Sequence, residues 1–513
     1  MAIVINGRDL TIEEVIRVCR GMEKVSISPE AEDAINKARA FIEKKLDEGA
    51  IIYGLTTGFG KFANVFISQE ETADLQHNLI VSHTCTAGEP YEQKYVRAAM
   101  LLRCNSLSRG NSGIRLSTVQ TMVDMLNAGI HPVIPCKGSL GASGDLAPLS
   151  HIALALIGLG NVEYKGKIVT AKHAMEKEGI TPVKLEAKEG LALNNGTQMM
   201  TAVGLNTLWD AMKLAKISDI ACAMTAEALH GITKAYDPKT HELRGHSGQI
   251  TVAENLRNLL QGSKNALAVQ PTKVQDPYTL RCAPQVHGAT RDALQYVYDA
   301  VSREINAVTD NPIVFPDHDE VISGGNFHGQ PMALAFDFLK MAIAELADIS
   351  ERRTERLTNP ALSEGLPGFL TKHGGVCSGF MIAQYAAASM VSENKIYAHP
   401  ACVDSIPSSG NQEDHVSMGT TAARTAAMVL ENSQNVIGIE IASAAQALWL
   451  RQEIGDSKLV NMSEATKAAY DYIRTKSAPI DDDVIMYDEL SKFYKMVKNG
   501  ELLDAVEKVR PLK

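Results

Sequence analysis

The stretch Val416–Leu450, VSMGTTAARTAAMVLENSQNVIGIEIASAAQALWL, is rich in alanine and apolar on most faces of a helix. Its apolar positions at helical spacing are Ala422, Ala426, Val429, Val436, Ile439, Ala442 and Ala445. A helix of this composition must bury more than one face, which requires either a large bundle or a subunit interface. We therefore predict a long helix in the middle of a helix bundle.

Other segments favour the same fold class. Long helices are predicted over Val286–Val308 and Pro331–Leu357, whereas only a short strand is indicated near the N-terminus, at Val4-Ile5. Helix starts are predicted at Thr11 with Glu14, at Ser28-Pro29 and at Ser68 with Glu71. Loops without helix are expected at Tyr236–Gly248 and at Val274–Gln285, where prolines at 277 and 284 favour an extended chain. The predicted fold is mainly α. It has a long-helix bundle domain at residues 206–513 and a smaller mixed N-terminal domain at residues 1–205, which carries the glycine-rich loops described below.

The composition excludes several classes of function. The 513 residues are 45% hydrophobic and 21% charged, as in ordinary globular proteins. A formal net charge of −10 without a basic cluster argues against a nucleic-acid partner. No apolar stretch predicts a signal peptide or a membrane span, so we expect a cytoplasmic protein. The eight cysteines are scattered without C-x-x-C pairs, which predicts reduced, mostly buried thiols and no metal site.

A reactive tripeptide is indicated at Ala142-Ser143-Gly144, within Gly138–His151 (GSLGASGDLAPLSH). Small residues around the serine allow a tight fold in which the Gly144 nitrogen attacks the Ala142 carbonyl carbon. Loss of two waters would then leave a methylidene-imidazolone electrophile, with no external cofactor. An ordinary glycine-rich loop before a helix near Asp145 is the alternative, whereas a nucleophile elbow is excluded because Asp145 replaces its second glycine.

The longer string closely resembles the signature of the aromatic amino acid ammonia-lyase and aminomutase family, in which this tripeptide cyclises autocatalytically. Further strings resemble the family in the same order along nearly the whole chain. They are Ile51–Gly60 with Tyr53, Leu79–His83, Gly190–Gln198 with Asn195, Val274–Gln285, Ser323–Gln330 with Phe327, and Ser408–Met418 with Glu413.

The resemblance implies roles for individual residues. Ala142, Ser143 and Gly144 would form the 4-methylidene-imidazole-5-one (MIO) group. Tyr53 would be the catalytic base, and Tyr278 and Glu413 would also be catalytic. The residues implied in substrate binding are His83, Asn195, Gln275, Arg281 and Phe327. From the residues alone, an arginine such as Arg281 can hold a carboxylate through two parallel hydrogen bonds, but a structural salt bridge explains it equally well.

The resemblance also implies a substrate and an assembly. Ser82-His83 and Glu413 are similar to the positions of family members that deaminate L-histidine to trans-urocanate and ammonia. A tyrosine or phenylalanine ammonia-lyase or 2,3-aminomutase is the alternative, which Thr56-Thr57 keeps open. A non-enzymatic helical scaffold is a second alternative, opposed by the intact tripeptide. The family places three chains around each site, so a homotetramer with shared sites is expected.

Overall fold

The structure is a computed structural model, and it describes residues 2–453 and 462–513. Its α-helices are α1 Ile12–Gly21, α2 Pro29–Asp47, α3 Thr72–His83, α4 Gln93–Ser108, α5 Leu116–Ala128, α6 Leu146–Leu156, α7 Ala171–Lys177, α8 Glu189–Asn194, α9 Gln198–Ala228, α10 Pro238–Glu242, α11 Ser247–Leu259, α12 Tyr278–Arg281, α13 Ala283–Glu304, α14 Gln330–Thr358, α15 Met381–Tyr397, α16 Gly419–Glu453, α17 Glu464–Arg474, α18 Met486–Asn499 and α19 Glu501–Glu507. The predicted mainly α fold class is confirmed.

The strands are few and short. They are β1 Ile3–Ile5, β2 Val25–Ile27, β3 Ala87–Pro90, β4 Ile130–Pro132, β5 Pro135–Lys137, β6 Asn161–Tyr164, β7 Lys167–Thr170, β8 Ile313–Phe315 and β9 Glu320–Ile322. β1 and β2 pair in parallel, whereas β3–β5, β4–β6–β7 and β8–β9 form antiparallel sheets.

The chain forms two compact units. The first consists of Met1–Asn206, Tyr298–Asp337 and Pro400–Arg424, and the second of Thr207–Val297, Phe338–His399 and Thr425–Lys513. All the strands given above lie within the residue ranges of the first unit. The predicted domain division after residue 205 stays a prediction, because these units are groups of contacting residues rather than tested folding domains.

Local signals explain how the helices of the first unit begin. Thr11 caps α1 in a capping box with Glu14, and each side chain bonds the other residue's backbone N–H. Ser28 caps α2 through the Ala31 N–H, and Pro29 occupies the first helical position. These starts lie where the sequence predicts them. They leave apolar residues of both helices facing the core.

Buried charge holds the second unit together internally. Glu440 of α16 accepts hydrogen bonds from Arg353 Nε and Ser350 Oγ of α14, at 2.5 and 2.6 Å, and from Thr225 Oγ1 of α9, at 2.8 Å. The Arg353 and Glu440 side chains are completely buried. Removing one partner of such a pair costs about 3–5 kcal/mol, because the other charge remains buried. This cluster therefore fixes how three long helices pack.

Two expectations about loops were wrong. The segment 236–248 contains α10 and the start of α11, because the Asp237 side chain accepts from the Lys239 N–H and Pro238 begins the helix. Residues 274–285, expected to be extended, contain α12 and the first turn of α13. A proline in a first helical turn lacks only an N–H that would have no intrahelical partner. Pro284 is therefore compatible with helix at that position.

Within the two described ranges, no helix combines the length and apolarity needed to cross a bilayer. All eight cysteines are free, and Cys19, Cys104, Cys222 and Cys377 are buried. The expectation of mostly buried thiols holds for only half of them, since Cys85 is exposed and the remaining three are half-buried.

Candidate active site

The Ala142-Ser143-Gly144 tripeptide lies in the loop between β5 and α6. Gly141 and Gly144 have φ values of 69° and 71°, in the left-handed region that favours glycine. The loop is fastened by a distant segment: Met418 N donates to the Leu140 carbonyl at 2.8 Å, and Ser417 Oγ to the Gly141 carbonyl at 2.9 Å. The tripeptide is thus held in a tight, partly buried turn.

Gly144 packs directly against the backbone of Gly196. Asp145 N donates to the Gly196 carbonyl at 2.6 Å, and the two glycines form an isolated parallel bridge. A Cβ atom at position 144 would overlap the Gly196 carbonyl oxygen. Only glycine fits at position 144, which explains the third residue of the tripeptide by space as well as by backbone conformation.

The Asp145 carboxylate lies beneath the tripeptide and is fully buried. It accepts from Ser139 Oγ at 2.8 Å, from Thr420 Oγ1, and from the Met200 N–H at the start of α9 at 2.7 Å. Burial raises the pKa of this carboxyl, and the hydrogen bonds oppose that shift. Asp145 therefore connects the tripeptide loop to the beginning of α9 and to residue 420.

Asn195, at the C-terminal end of α8, contacts the serine of the tripeptide. Its Nδ2 donates to the Ser143 carbonyl oxygen at 2.9 Å and to Ser143 Oγ at 3.2 Å. Its own Oδ1 is buried without a hydrogen-bond partner among the described residues. These contacts fit an MIO group, because the Ser143 carbonyl oxygen would remain on the ring as its oxygen and would keep a donor.

A cavity of about 820 Å³ opens beside the tripeptide, and every residue that lines it belongs to the first unit. Six of the residues predicted for the site line it: Tyr53, His83, Ala142, Ser143, Gly144 and Glu413. Its apolar wall includes Phe62, Leu75, Leu79 and Leu191. None of the described residues that line it is a lysine or an arginine. The cavity thus combines the tripeptide with polar groups but offers no cation.

Tyr53 enters the cavity from the loop that follows α2. Its hydroxyl accepts a hydrogen bond from the Gly60 N–H at 3.0 Å, and its ring meets Phe59 edge to face at 6.5 Å. Burial raises the pKa of Tyr53, and the negative charge of Glu413 adds to this effect. In this environment the residue is a neutral phenol at neutral pH. To ionise and act as a base near neutral pH, it needs a nearby positive charge that lowers its pKa.

His83 and Glu413 line the same cavity from α3 and from the 408–418 loop. His83 Nδ1 lies 3.0 Å from Ser82 Oγ, and burial lowers the pKa of its imidazole. Glu413 Oε2 accepts from Ser408 Oγ at 3.1 Å, and the backbones of Ser408 and Glu413 bond each other. A neutral imidazole and a carboxylate together can accept hydrogen bonds from a polar ligand.

Gln275, Tyr278 and Arg281 belong to the second unit and do not line the cavity of the first. Arg281 Nε donates to the Asp276 carbonyl at 2.9 Å, and its guanidinium lies 4.6 Å from the centre of the Tyr278 ring. Tyr278 is 69% exposed. The short helix α12 therefore presents an ordered arginine and tyrosine at the surface of its unit, where a ligand or another chain can reach them.

Phe327 and the Thr56-Thr57 pair do not line this cavity. Phe327 is half-buried in the 323–330 loop and does not line the cavity. Thr56 Oγ1 accepts from the Ile52 N–H at 2.9 Å and donates to the Ala50 carbonyl at 3.1 Å, so it stabilises its own loop. Thr57 likewise bonds within that loop, to Gly54 and Gly58. Neither threonine lines the cavity.

Some residues of the site were not predicted from the sequence. Gly196 packs on Gly144, and Thr420 donates a hydrogen bond to Asp145. In the sequence, however, Gly196 indicates only a turn and Thr420 only a helix. The apolar residues Leu75 and Leu79 follow a helical pattern that predicts burial in a core rather than a cavity wall. Their contribution becomes visible only in three dimensions.

Comparisons with known proteins agree with this geometry. The family described as aromatic amino acid lyase matches residues 10–475. A histidine ammonia-lyase of Alkaliphilus oremlandii is 54% identical over 506 residues, which cover 99% of this chain and 98% of that protein. The crystal structure of histidine ammonia-lyase from Trypanosoma cruzi superposes with a TM-score of 0.91 at 40% identity, covering 100% of this chain and 96% of that one. Tyrosine aminomutase from Streptomyces globisporus superposes with a TM-score of 0.95 at 35% identity, over the whole of both chains.

The chain belongs to the aromatic amino acid lyase family. The family resemblance and the enzyme class predicted from the sequence, a carbon–nitrogen lyase, are confirmed.

Proposed function

We propose that this enzyme removes ammonia from L-histidine to give trans-urocanate, the first step of histidine degradation. The observation that carries the proposal is the meeting of the tripeptide, Tyr53, His83 and Glu413 in one cavity. Relatives named histidine ammonia-lyase, similar over almost the full length, support the same substrate. Eight cysteines without a disulfide among the described residues suit a cytoplasmic enzyme, which we also propose.

The prosthetic group of the proposed enzyme is MIO, formed from Ala142, Ser143 and Gly144 without an external cofactor. It supplies an electrophilic methylidene carbon that makes the substrate's amino group a better leaving group. The buried turn, the contact of Gly144 with Gly196 and the amide of Asn195 support this assignment. Asn195 keeps a donor on the Ser143 carbonyl oxygen, where negative charge is stabilised.

Tyr53 is the proposed base for the proton on the substrate's β-carbon. Because burial raises the pKa of Tyr53, this role requires a cation that the cavity of the first unit does not provide. The substrate carboxylate also needs a cationic partner. One arginine beside the cavity would meet both needs.

Arg281 of a partner subunit is the proposed source of that charge, together with its Tyr278 and Gln275. Its Nε is already bonded and its guanidinium lies over the Tyr278 ring, so the two terminal amino groups would be the ones that bind a carboxylate. A homotetramer with sites shared between subunits places these residues at another chain's tripeptide. Phe327 would complete the substrate's surroundings in the assembled enzyme.

His83 and Glu413 determine the choice of substrate in this proposal. The substrate's imidazole has one N–H donor and one acceptor nitrogen, so it can donate to the Glu413 carboxylate and accept from the N–H of His83. A phenyl ring would leave both groups unpaired. Each unpaired buried group costs about 1–3 kcal/mol. A tyrosine or phenylalanine lyase or aminomutase stays the alternative because members of the family share this scaffold. However, Thr56 and Thr57 bond within their own loop and offer no contact to discriminate substrates.

The direct test is to incubate the protein with L-histidine and follow urocanate absorbance and ammonia release, with L-tyrosine and L-phenylalanine as parallel substrates. Formation of urocanate supports the proposal. Conversion of tyrosine at a comparable kcat/KM would favour the alternative, and absence of turnover with all three substrates would favour a non-enzymatic scaffold.

A further inference from the structure

Arg103, in the middle of α4, is a completely buried arginine behind the active-site loop. Its Nη1 donates to the backbone carbonyl of Asn195 at 2.8 Å and to Gln198 Oε1 at 2.9 Å. Its Nε and Nη2 are buried without a hydrogen-bond partner among the residues described. Unpaired donors on a buried charge destabilise a fold, so a purely structural role explains this residue poorly.

Arg103 shares the countercharge that acts on it with a second buried cation. Asp310 attracts the guanidinium, but its carboxylate is already paired with Lys188 Nζ at 2.8 Å. Both partners of that pair have side chains with 0% exposure. Two buried cations therefore share one carboxylate, and part of the positive charge of Arg103 remains available to the peptide that it contacts.

That peptide is the one that touches the tripeptide. The Asn195 side chain donates to Ser143 O, and the Gly196 carbonyl accepts from Asp145 N. The fit is tight, since a Cβ atom at Gly196 would overlap Nη1 of Arg103. The Asn195–Gly196 peptide thus contacts both the buried guanidinium of Arg103 and the Ala142–Gly144 turn.

We propose that Arg103 is a positioning residue for the tripeptide. It holds the Asn195–Gly196 peptide so that the Asn195 amide stays hydrogen-bonded to the Ser143 carbonyl oxygen and Gly196 stays in contact with Gly144. The planar guanidinium matters, because it holds the two N–H groups of Nη1 in fixed directions toward a backbone carbonyl and a side-chain amide oxygen. The ammonium of lysine rotates on a flexible stem and is less well oriented. The inference rests on the proposed function, since it concerns cyclisation of the tripeptide and turnover at the resulting group.

The test compares Arg103→Met and Arg103→Lys with a matched control, Arg97→Met. Arg97 lies on the same helix, is 1% exposed and donates to the carbonyls of Val18 and Leu126, away from the tripeptide. The full-length proteins are compared by thermal unfolding, by intact mass and by kinetics with L-histidine. Cyclisation is read as the loss of the mass of two waters, which does not depend on activity.

We expect folded Arg103 variants with a larger fraction of uncyclised protein. After correction for that fraction, kcat should fall about tenfold or more, because the supporting geometry is lost, while KM changes little. The Arg97 control should lose stability but keep the full mass deficit and kcat. If Arg103→Met does not fold, Arg103→Lys provides the same measurements with the charge retained.

A coupling measurement separates positioning from general destabilisation. In an Asn195→Ala background, replacing Arg103 by lysine should have a much smaller effect on corrected kcat, because the amide that Arg103 positions is already absent. A folded Arg103→Lys protein with complete cyclisation and unchanged kcat would overturn the inference alone. Wild-type protein of full encoded mass would instead overturn the proposed function together with it.

Discussion

One amide group of Asn195 donates to two oxygens of Ser143, to the carbonyl at 2.9 Å and to the hydroxyl at 3.2 Å. In the proposed cyclisation the hydroxyl leaves as water, whereas the carbonyl oxygen stays on the ring. The same donor is therefore placed beside a group that departs during maturation and beside one that carries charge during turnover.

Replacing Ser143 by alanine should give a folded protein of full encoded mass that lacks nearly all activity, because the hydroxyl whose loss as water leaves the methylidene carbon is missing. Intact-mass measurement should find the two-water deficit only in the parent, within the peptide containing residues 142–144. Ser108→Ala is a suitable control, since that buried hydroxyl donates to the Cys104 carbonyl within α4. Active parent protein without the deficit would contradict the mechanism.

Replacing Asn195 by alanine should lower kcat about 10²–10³-fold, the scale of one lost oxyanion donor. Its neighbour Asn194 is an internal control, because it is also buried but its amide bonds Ser150 Oγ instead. Asn194→Ala should reduce the free energy of unfolding with a smaller effect on kcat. Equal kinetic losses in the two variants would remove the special role of Asn195.

Mixing two inactive proteins tests the shared site. Ser143→Ala chains keep Arg281, and Arg281→Ala chains keep the tripeptide, so hybrids formed by subunit exchange should contain some complete sites. We expect partial recovery of urocanate formation after dissociation and reassembly of the mixture. Chains that exchange, as shown by native mass spectrometry, but remain inactive would rule out sharing.

Glu413→Gln should severely lower turnover of L-histidine, because the amide provides a weaker acceptor for an imidazole N–H. The parent should prefer L-histidine over L-tyrosine and L-phenylalanine by about a hundredfold or more in kcat/KM. Asp414→Asn makes the same chemical change at the next residue, which is exposed, and should leave the preference intact. A parent that converts tyrosine comparably would disprove the substrate assignment.

His131 should make stability depend on pH. Burial, with a further contribution from Arg97, lowers the pKa of His131 from 6.5 to about 3. The unfolded chain therefore binds the extra proton, so the stability present above pH 6.5 is lost as the pH falls toward 3, by about 1.4 kcal/mol per pH unit.

Urea unfolding at about pH 6 and pH 5 measures this effect. His131→Gln removes the titrating group while keeping an acceptor for Arg97, so its free energy of unfolding should vary less with pH than that of the parent. The exposed His318→Gln should retain the parental dependence. A His131→Gln protein with the parental slope would assign the effect to other groups.

The parts of this structure that local chemistry determines could be predicted from the sequence. The capping box of Thr11 and Glu14 and the Ser28-Pro29 start are made by residues a few positions apart, and they lie where predicted. The long helix predicted over Val416–Leu450 is α16, with its start moved to Gly419. The preceding segment instead forms the loop that fastens the tripeptide.

The capping pair expected at Ser68 and Glu71 does bond, but it closes a short 3₁₀ turn, and α3 begins only at Thr72.

Other features depend on contacts between distant residues. Nothing in the neighbourhood of Arg103 distinguishes it from any other helix arginine, because its partners lie about 90 residues along the chain. The roles of His83 and Arg281 come from the family resemblance and stay predictions.

The hydrogen bonds that close the tripeptide loop have a consequence for the order of events during synthesis. Ser417 and Thr420 bond Gly141 and Asp145, 276 and 275 residues earlier in the chain. A ribosome must therefore translate most of the protein before the turn can be completed. In the proposed cyclisation, the nascent chain would carry an ordinary serine throughout that period, and the electrophile would arise only once a folded cavity surrounds it.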